Sequence, residues 1–344
     1  MESVKITLLS REPHLSQILT GFLTLARQGE LDIQIEDRSG DGSVPHPSVM
    51  AVAEYRGRKL VYDTLDGYQH EDAIRHYLNE CDFYFKRSFS QEKNQALGLA
   101  WDGKMFPLGF NYHVSCKNHP LDPPFWKQQI KKYLGREYNA FRNDGFTAKF
   151  IEQKPCFSRK PQVLFLTRLW KEDPSLPESL KEERRYINAT RIEIIRQLRS
   201  MEGQIHFVGG LPDTDLAQEM APDLIMPASL TDRRQYIRCL HRSDICIGTM
   251  GLFESIGWKT GEYIAASKAI VNEKLRYTVP GDFAPERNYL EFGTAEACID
   301  AVKTLISDPQ MMQQMRQNNR DYYLRYLRPD VMIRNTLDIV DKQL

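Results

Sequence analysis

Apolar and polar positions alternate along this chain in two periods, and the periods take turns. "VKITLLS" (4–10) is a short apolar run with β-branched residues, the pattern of a buried strand. Residues 15–27 follow with Leu15, Ile18, Leu19, Phe22 and Leu25 at helical spacing. "LDIQIED" (31–37) alternates like a half-exposed strand, and 49–64 reads as two strands joined at Arg56–Gly57. A helix near 70–79 precedes a strand at 82–88. Periodicity lapses over 147–162, where Lys and Pro accumulate, and this is the expected linker.

The alternation then restarts. Strands are expected at 163–167, 205–210, 223–228, 244–249 and 269–273. A helix is expected over 185–201 with Ile187, Ile194, Ile195, Leu198 and Met201 facing inward, and another after Glu262. Residues 309–343 read as helical with a break at Arg328–Pro329, where proline restarts the chain. Repeated strand–helix alternation predicts α/β layers, and the lapse predicts two such domains facing a ligand cleft.

Composition narrows the function classes. With 344 residues, a prior of about 150 per domain agrees with roughly two domains. Lys plus Arg equals Asp plus Glu at 46 each, so a whole-protein basic field for nucleic acid is absent. The six cysteines form no C-x-x-C pair and read as buried thiols of a reducing cytoplasm. The opening apolar run is too short for a signal peptide, and no apolar run approaches the roughly 18 residues of a membrane span. Metal-ligand patterns such as H-E-x-x-H, and the P-loop and G-x-S-x-G motifs, are missing.

The chemistry concentrates in "GLFESIGWKTGEYIAAS" (251–267). If "DICIG" is a core strand, this loop lies at the carboxyl end of a parallel sheet, where open α/β folds bind ligands. Thr260 is the expected N-cap of the next helix, whose free N–H groups suit a phosphate. Gly257 and Gly261 permit close backbone approach, and Lys259 adds a point charge. Glu262, expected in the first turn, has the chemistry to accept two ribose hydroxyls, while Glu254 suits a second polyol or a developing positive charge. The stretch therefore reads as a seat for a sugar–diphosphate–nucleoside. An acid early in a helix is also favoured by the dipole alone.

The wider context resembles a known family. "HRSDICIGTMGLFESIGWKTGEYIAASKAIVNE" resembles the C-terminal donor domain of GT-B glycosyltransferases, especially the retaining family-4 type with two Glu separated by seven residues, here Glu254 and Glu262. "VLFLTRLWKED" (163–173), "IHFVGGL" (205–211) and the segment 288–323 are similar to other parts of that domain. The resemblance covers roughly residues 160–325. It implies residues 1–155 as the acceptor-binding domain, 156–325 as the nucleotide-sugar domain, and 326–344 as a helix crossing back to the first domain. It implies that Glu262 binds ribose, that Arg168 and Lys171 neutralise the diphosphate, that backbone around Gly257–Thr260 cradles phosphate or sugar, and that Glu254 faces the donor sugar. The implied reaction moves a sugar from a nucleotide diphosphate sugar to a saccharide or glycolipid hydroxyl, with retention, without a metal and without a cofactor, as in polysaccharide biosynthesis. The glycine-rich turn usual after the family's first strand is replaced here by "LLSREPHLS". The alternatives are a nucleotide-sugar epimerase of the same architecture and a non-catalytic nucleotide-sugar binder.

Other clusters fit around this expectation. "YDTLDGYQHED" (62–72) offers Asp66 or His70 to an acceptor hydroxyl, or as a base if the enzyme inverts. A turn followed by an acidic helix start explains the same residues. Lys86 and Arg87 end a strand and suit an anionic acceptor or a donor phosphate, or read as exposed basic residues at a strand edge. Asp213 and Asp215 form a lone D-x-D, read as a solvated loop and not as a metal site. The basic, aromatic stretch 123–142 is either a core-facing amphipathic helix or a peripheral contact with an anionic membrane near a lipid-linked acceptor. The expected location is the cytoplasm, at the inner membrane face if that contact forms.

Overall fold

The computed structural model describes residues 1–41, 50–122, 146–156 and 160–344. The stretch 123–142 therefore lies outside the described residues. The chain divides into two compact units: Met1–Phe150 with Tyr277–Gly281 and Leu324–Leu344, and Ile151–Arg276 with Asp282–Tyr323. Both are α/β. The return of Tyr277–Gly281 to the first unit had no sequence signal. Its Thr278 N–H donates to the Phe89 carbonyl at 2.8 Å.

The first unit holds β1 (Glu2–Leu8), β2 (Leu31–Asp37), β3 (Met50–Tyr55), β4 (Arg58–Asp63), β5 (Phe83–Lys86) and β6 (Met105–Pro107) in the order β2-β1-β3-β4-β5-β6. The sheet is mixed, with parallel pairs β1–β2, β4–β5 and β5–β6. β3 and β4 form a hairpin turned by Arg56 and Gly57, both at positive φ (49° and 72°), and β3 runs antiparallel to β1. The helices are α1 (Ser16–Arg27), α2 (Glu71–Glu80), α3 (Gln91–Ala96) and the single turn α4 (Ala148–Ile151) inside the expected linker. The stripe Ile18, Leu19, Phe22 and Leu25 of α1 is buried. Tyr62 of β4 anchors the core, edge-on to Phe22 and stacked on Phe85.

The second unit contains β7 (Gln162–Leu166), β8 (His206–Gly210), β9 (Ile245–Gly248), β10 (Ala269–Glu273) and β11 (Leu290–Phe292). Their order is β11-β10-β9-β7-β8, all parallel. β7, β9 and β10 are buried along their lengths, as expected for strands covered on both faces. The helices are α5 (Glu178–Ser200), α6 (Asp215–Met220), α7 (Ala228–Thr231), α8 (Arg233–Arg242), α9 (Trp258–Ala265), α10 (Ala295–Ser307) and α11 (Pro309–Tyr322). α5 begins seven residues before the expected 185 because its first two turns are charged and solvent-facing, so no apolar stripe announces them. The expected strand 223–228 does not form. Pro222 opens a 3-10 turn, Pro227 has no N–H to donate to a ladder, and Ile225 keeps only an isolated bridge to Leu211.

The last helix, α12 (Pro329–Asp341), belongs to the first unit and packs on α1. Gly21 makes the approach possible: a Cβ there would lie 2.3 Å from the Pro329 carbonyl oxygen.

Among the described residues no helix is long and apolar enough to cross a membrane. Cys81, Cys246 and Cys298 are buried thiols, but Cys156 is exposed, which corrects the expectation that all six are buried.

Candidate functional site

In the second unit the chain leaves β7 for β8 on one side and returns to β9 on the other. Loops after β7 and β9 thus diverge, and the sheet opens a crevice at their carboxyl ends. The loop after β9 is held in an unusual shape. Phe253 and Glu254 both take left-handed backbone, at φ 59° and 57°, a conformation costing non-glycine residues about 1–2 kcal/mol each. The surroundings over-determine it. The Gly251 N–H donates to the Ser255 carbonyl at 2.8 Å, the Glu254 N–H to Glu183 Oε1 at 3.0 Å, and the Met250 N–H to Glu273 Oε2 at 2.6 Å. Strain of this kind gathers at binding and catalytic loops.

A small pocket lies against this loop, lined by Thr249, Met250, Glu254, Ser255, Ile256, Gly257, Thr260, Asn272, Lys274 and Leu275. Of the sequence candidates, Glu254, Gly257 and Thr260 reach it. Glu254 also stands 3.7 Å from Arg276, a half-exposed pair of small energetic weight. Gly257 has ordinary backbone, φ −66°, and the nearest atom to an added Cβ is 4.0 Å away, so glycine here leaves space. Gly248, at the end of β9, is different: its Cβ would meet Asn272 Oδ1 at 1.9 Å.

Thr260 is not the N-cap. Gly257 holds that position, and Thr260 sits in the first turn with its hydroxyl 3.4 Å from Asn272 Oδ1. Threonine prefers the capping position, but α9 starts two residues earlier at Trp258, and neither Trp258 nor Lys259 carries a start signal. Glu262 moves accordingly from the first turn to the second. It is 1% exposed, and Arg233 Nη1 of α8 pairs with its Oε1 at 2.6 Å. Its Oε2 is buried without a well-formed hydrogen bond, close enough to Tyr236 that burial and then the carboxylate push that phenol well above its ordinary range.

Lys259 turns its ammonium inward and donates to the Leu166 carbonyl at the end of β7. Burial, followed by Arg191, pushes its pKa down to about 7, with Arg168 and Arg233 adding to the fall and Glu262 opposing it. Three guanidinium groups therefore surround one ammonium, an arrangement that favours an incoming anion.

Arg168 and Lys171 lie in the loop after β7. Both side chains are exposed, neither lines the pocket, and the Arg168 guanidinium lies over the Trp170 ring at 4.0 Å. Their carbonyls are what α5 uses: Arg184 donates to that of Lys171 and Arg191 to that of Arg168. Asn188 holds the same loop through both Trp170 main-chain groups, at 2.8 and 2.9 Å.

Asp66 belongs to the first unit, where it pairs with the buried Arg87 after β4 and β5. Beside it Asp63 and Lys86, both fully buried, pair at 2.7 Å, and Tyr84 donates to the same carboxylate oxygen. Lys86 and Arg87 are thus engaged with carboxylates, and His70 precedes α2 as its N-cap. Asp213 accepts from Gln218, and Asp215 begins α6 behind the Thr214 cap. Among the described residues no group of three or more His, Cys, Asp or Glu side chains is arranged for a metal ion.

Sequence reading missed Arg191, Arg233, Asn272, Lys274 and Glu273. Arg191 had a legible signal. It falls on the stripe Ile187, Arg191, Ile194, Ile195, Leu198, an arginine on the buried face of a helix.

No family model matches the chain, and no curated protein matches it. Solved structures do. The C-terminal domain of a glycosyl transferase group 1 family protein (LpcC) from Francisella tularensis is 15% identical over 52% of this chain and 95% of that one, with a TM-score of 0.37. HepE of Anabaena, solved with UDP and glucose, is 14% identical over 92% of this chain and 89% of that one, at 0.43. S. aureus TarM, solved with UDP among other ligands, is 11% identical over 79% of this chain at 0.42, and this chain spans 46% of its length. At this similarity a functional reading rests on the site's own geometry.

Proposed function

We propose that the chain is a glycosyltransferase of GT-B type that moves a sugar from a nucleotide diphosphate sugar to a hydroxyl of a saccharide or glycolipid. The observation that carries this reading is the convergence at one strand-end crevice: Lys259, Arg191, the start of α9 and the pocket bearing Glu254 all meet at the switch point of a parallel sheet. Glycosyl transfer develops negative charge on the departing diphosphate. Fixed cations and N–H groups aimed at that oxygen stabilise it without a metal. Lys259 is assigned to the diphosphate and Glu254 to the donor sugar, with retention of configuration. Gly257 and Thr260 border the phosphate or sugar. Arg168 and Lys171 take part by turning their exposed side chains toward the diphosphate once it binds. Glu262 is the ribose acceptor: Arg233 holds its Oε1, and Oε2 is the oxygen left for a hydroxyl. Acceptor binding is assigned to the first unit, with Asp66 the group that meets the acceptor hydroxyl.

A second reading, nucleotide-sugar binding without turnover, draws on the neutralised, buried state of Glu262. The test is incubation of the purified chain with UDP-, GDP-, ADP- and dTDP-sugars, with and without saccharide acceptors, and product analysis by mass spectrometry. Transfer to an acceptor is expected from one donor class, and Lys259→Met should lower turnover by about 10²–10³-fold. Donor binding without any product supports the second reading, and an isomerised donor formed without acceptor identifies an epimerase.

A further inference from the structure

Arg191 joins the two loops that flank the switch point. It is 6% exposed, within the apolar stripe of α5. Nη1 donates to the Arg168 carbonyl at 2.6 Å, in the loop after β7. Nε donates to Thr249 Oγ1 and Nη2 to the Met250 carbonyl, each at 2.9 Å, in the loop after β9. All three of these acceptors are neutral oxygens, a hydroxyl and two carbonyls. Glu273 influences it from nearby, but its oxygens are engaged by the Met250 N–H at 2.6 Å and the Tyr186 hydroxyl at 3.3 Å.

Neutral acceptors fix the geometry of a buried guanidinium without cancelling its charge. Burying a guanidinium costs free energy that neutral acceptors offset only in part, and the Glu273 carboxylate acts on this one through space alone. The planar fork also does what an ammonium does not: it reaches three acceptors on two loops at once.

We propose that Arg191 is the positioning residue of this crevice, clasping the loops after β7 and β9 at one spacing and leaving its charge for the diphosphate of the donor. The proposal rests on the donor-site reading above and deepens it.

Arg191→Lys keeps a charge and loses the clasp, and Arg191→Met loses both. Titration calorimetry of the full chain compares UDP, GDP and ADP with the corresponding nucleosides, and circular dichroism with urea unfolding reports the fold. Both variants should lose tenfold or more in affinity for the diphosphate that wild type binds best, with nucleoside affinity within twofold of wild type. A merely structural role would weaken both ligands together. Should either variant fail to fold, Thr249→Val removes one acceptor of the clasp and Thr249→Ser retains it; a several-fold loss in the first and wild-type affinity in the second is expected. Folded Arg191 variants with wild-type diphosphate affinity, or parallel loss of nucleoside and diphosphate, overturn the clasp while leaving the donor site standing. Wild type that binds no diphosphate overturns the donor-site reading and the clasp with it.

Discussion

Lys259 puts a titrating charge where the ligand is expected. Its ammonium falls from an ordinary value of 10.5 to about 7 because burial and the neighbouring guanidinium groups oppose charge. An anion reverses that opposition, so binding draws a proton onto the nitrogen. Diphosphate affinity of wild type relative to Lys259→Met should be greatest below pH 7 and fall as pH rises above it, by at most about tenfold per unit. Calorimetry from pH 6 to 9 in buffers of different ionisation enthalpy checks both the trend and the proton uptake. The same shift affects folding. Between about 7 and 10.5 the unfolded chain holds the proton and the folded chain does not, so this residue makes stability rise with pH across that window. Below 7 its burial penalty is fully present. The Arg233–Glu262 pair makes a separate prediction. Arg233→Met strands a buried carboxylate and should cost about 3–5 kcal/mol in urea unfolding, much of it recovered by adding Glu262→Gln. At this scale the sequence singles out Lys259 and Glu254 as candidates because their residue types alone imply chemistry. It was not legible for Arg233, whose role depends on α8 bringing it to Glu262 across 29 positions of chain.

At the scale of elements, what periodicity encodes was readable and what proline or packing decides was not. The stripe of α1 and the buried runs of β7, β9 and β10 fall where spacing puts them. The 223–228 strand fails because two prolines outweigh four apolar residues. Thr260 loses its cap because helix α9 begins at Trp258, which no local residue announces. The hairpin turn at Arg56–Gly57 was legible, but its insertion into the middle of a mixed sheet was not, because pairing partners are set at long range. Two glycines test the element contacts. Gly21→Val should drive α12 off α1 and destabilise the chain by about 1–3 kcal/mol or more, read as a lower urea midpoint. Gly257→Val, with a tolerant φ and open space beside it, should leave that midpoint within about 0.5 kcal/mol of wild type and lower diphosphate affinity by filling the pocket.

For the whole molecule, equal numbers of acidic and basic residues mean that attraction of an anionic donor must come from local placement. That placement is contained in one unit: α5 supplies Arg191, α8 Arg233, α9 Lys259 and Glu262, and the loop after β9 Glu254. Division into two α/β units was readable from the repeated alternation, while the return of Tyr277–Gly281 to the first unit was not, since five residues carry no period. The central claim is that this crevice seats a nucleoside diphosphate. The most direct measurement is thermal unfolding of wild type and Lys259→Met against UDP, GDP, ADP, dTDP and CMP. One diphosphate at about 100 times its dissociation constant should stabilise wild type by roughly 2.7 kcal/mol, a shift of a few degrees for a chain of this size. Lys259→Met should lose most of that shift at the same ligand concentration. If no nucleotide moves wild type, or the substitution leaves the shift intact, the crevice is not the seat described here.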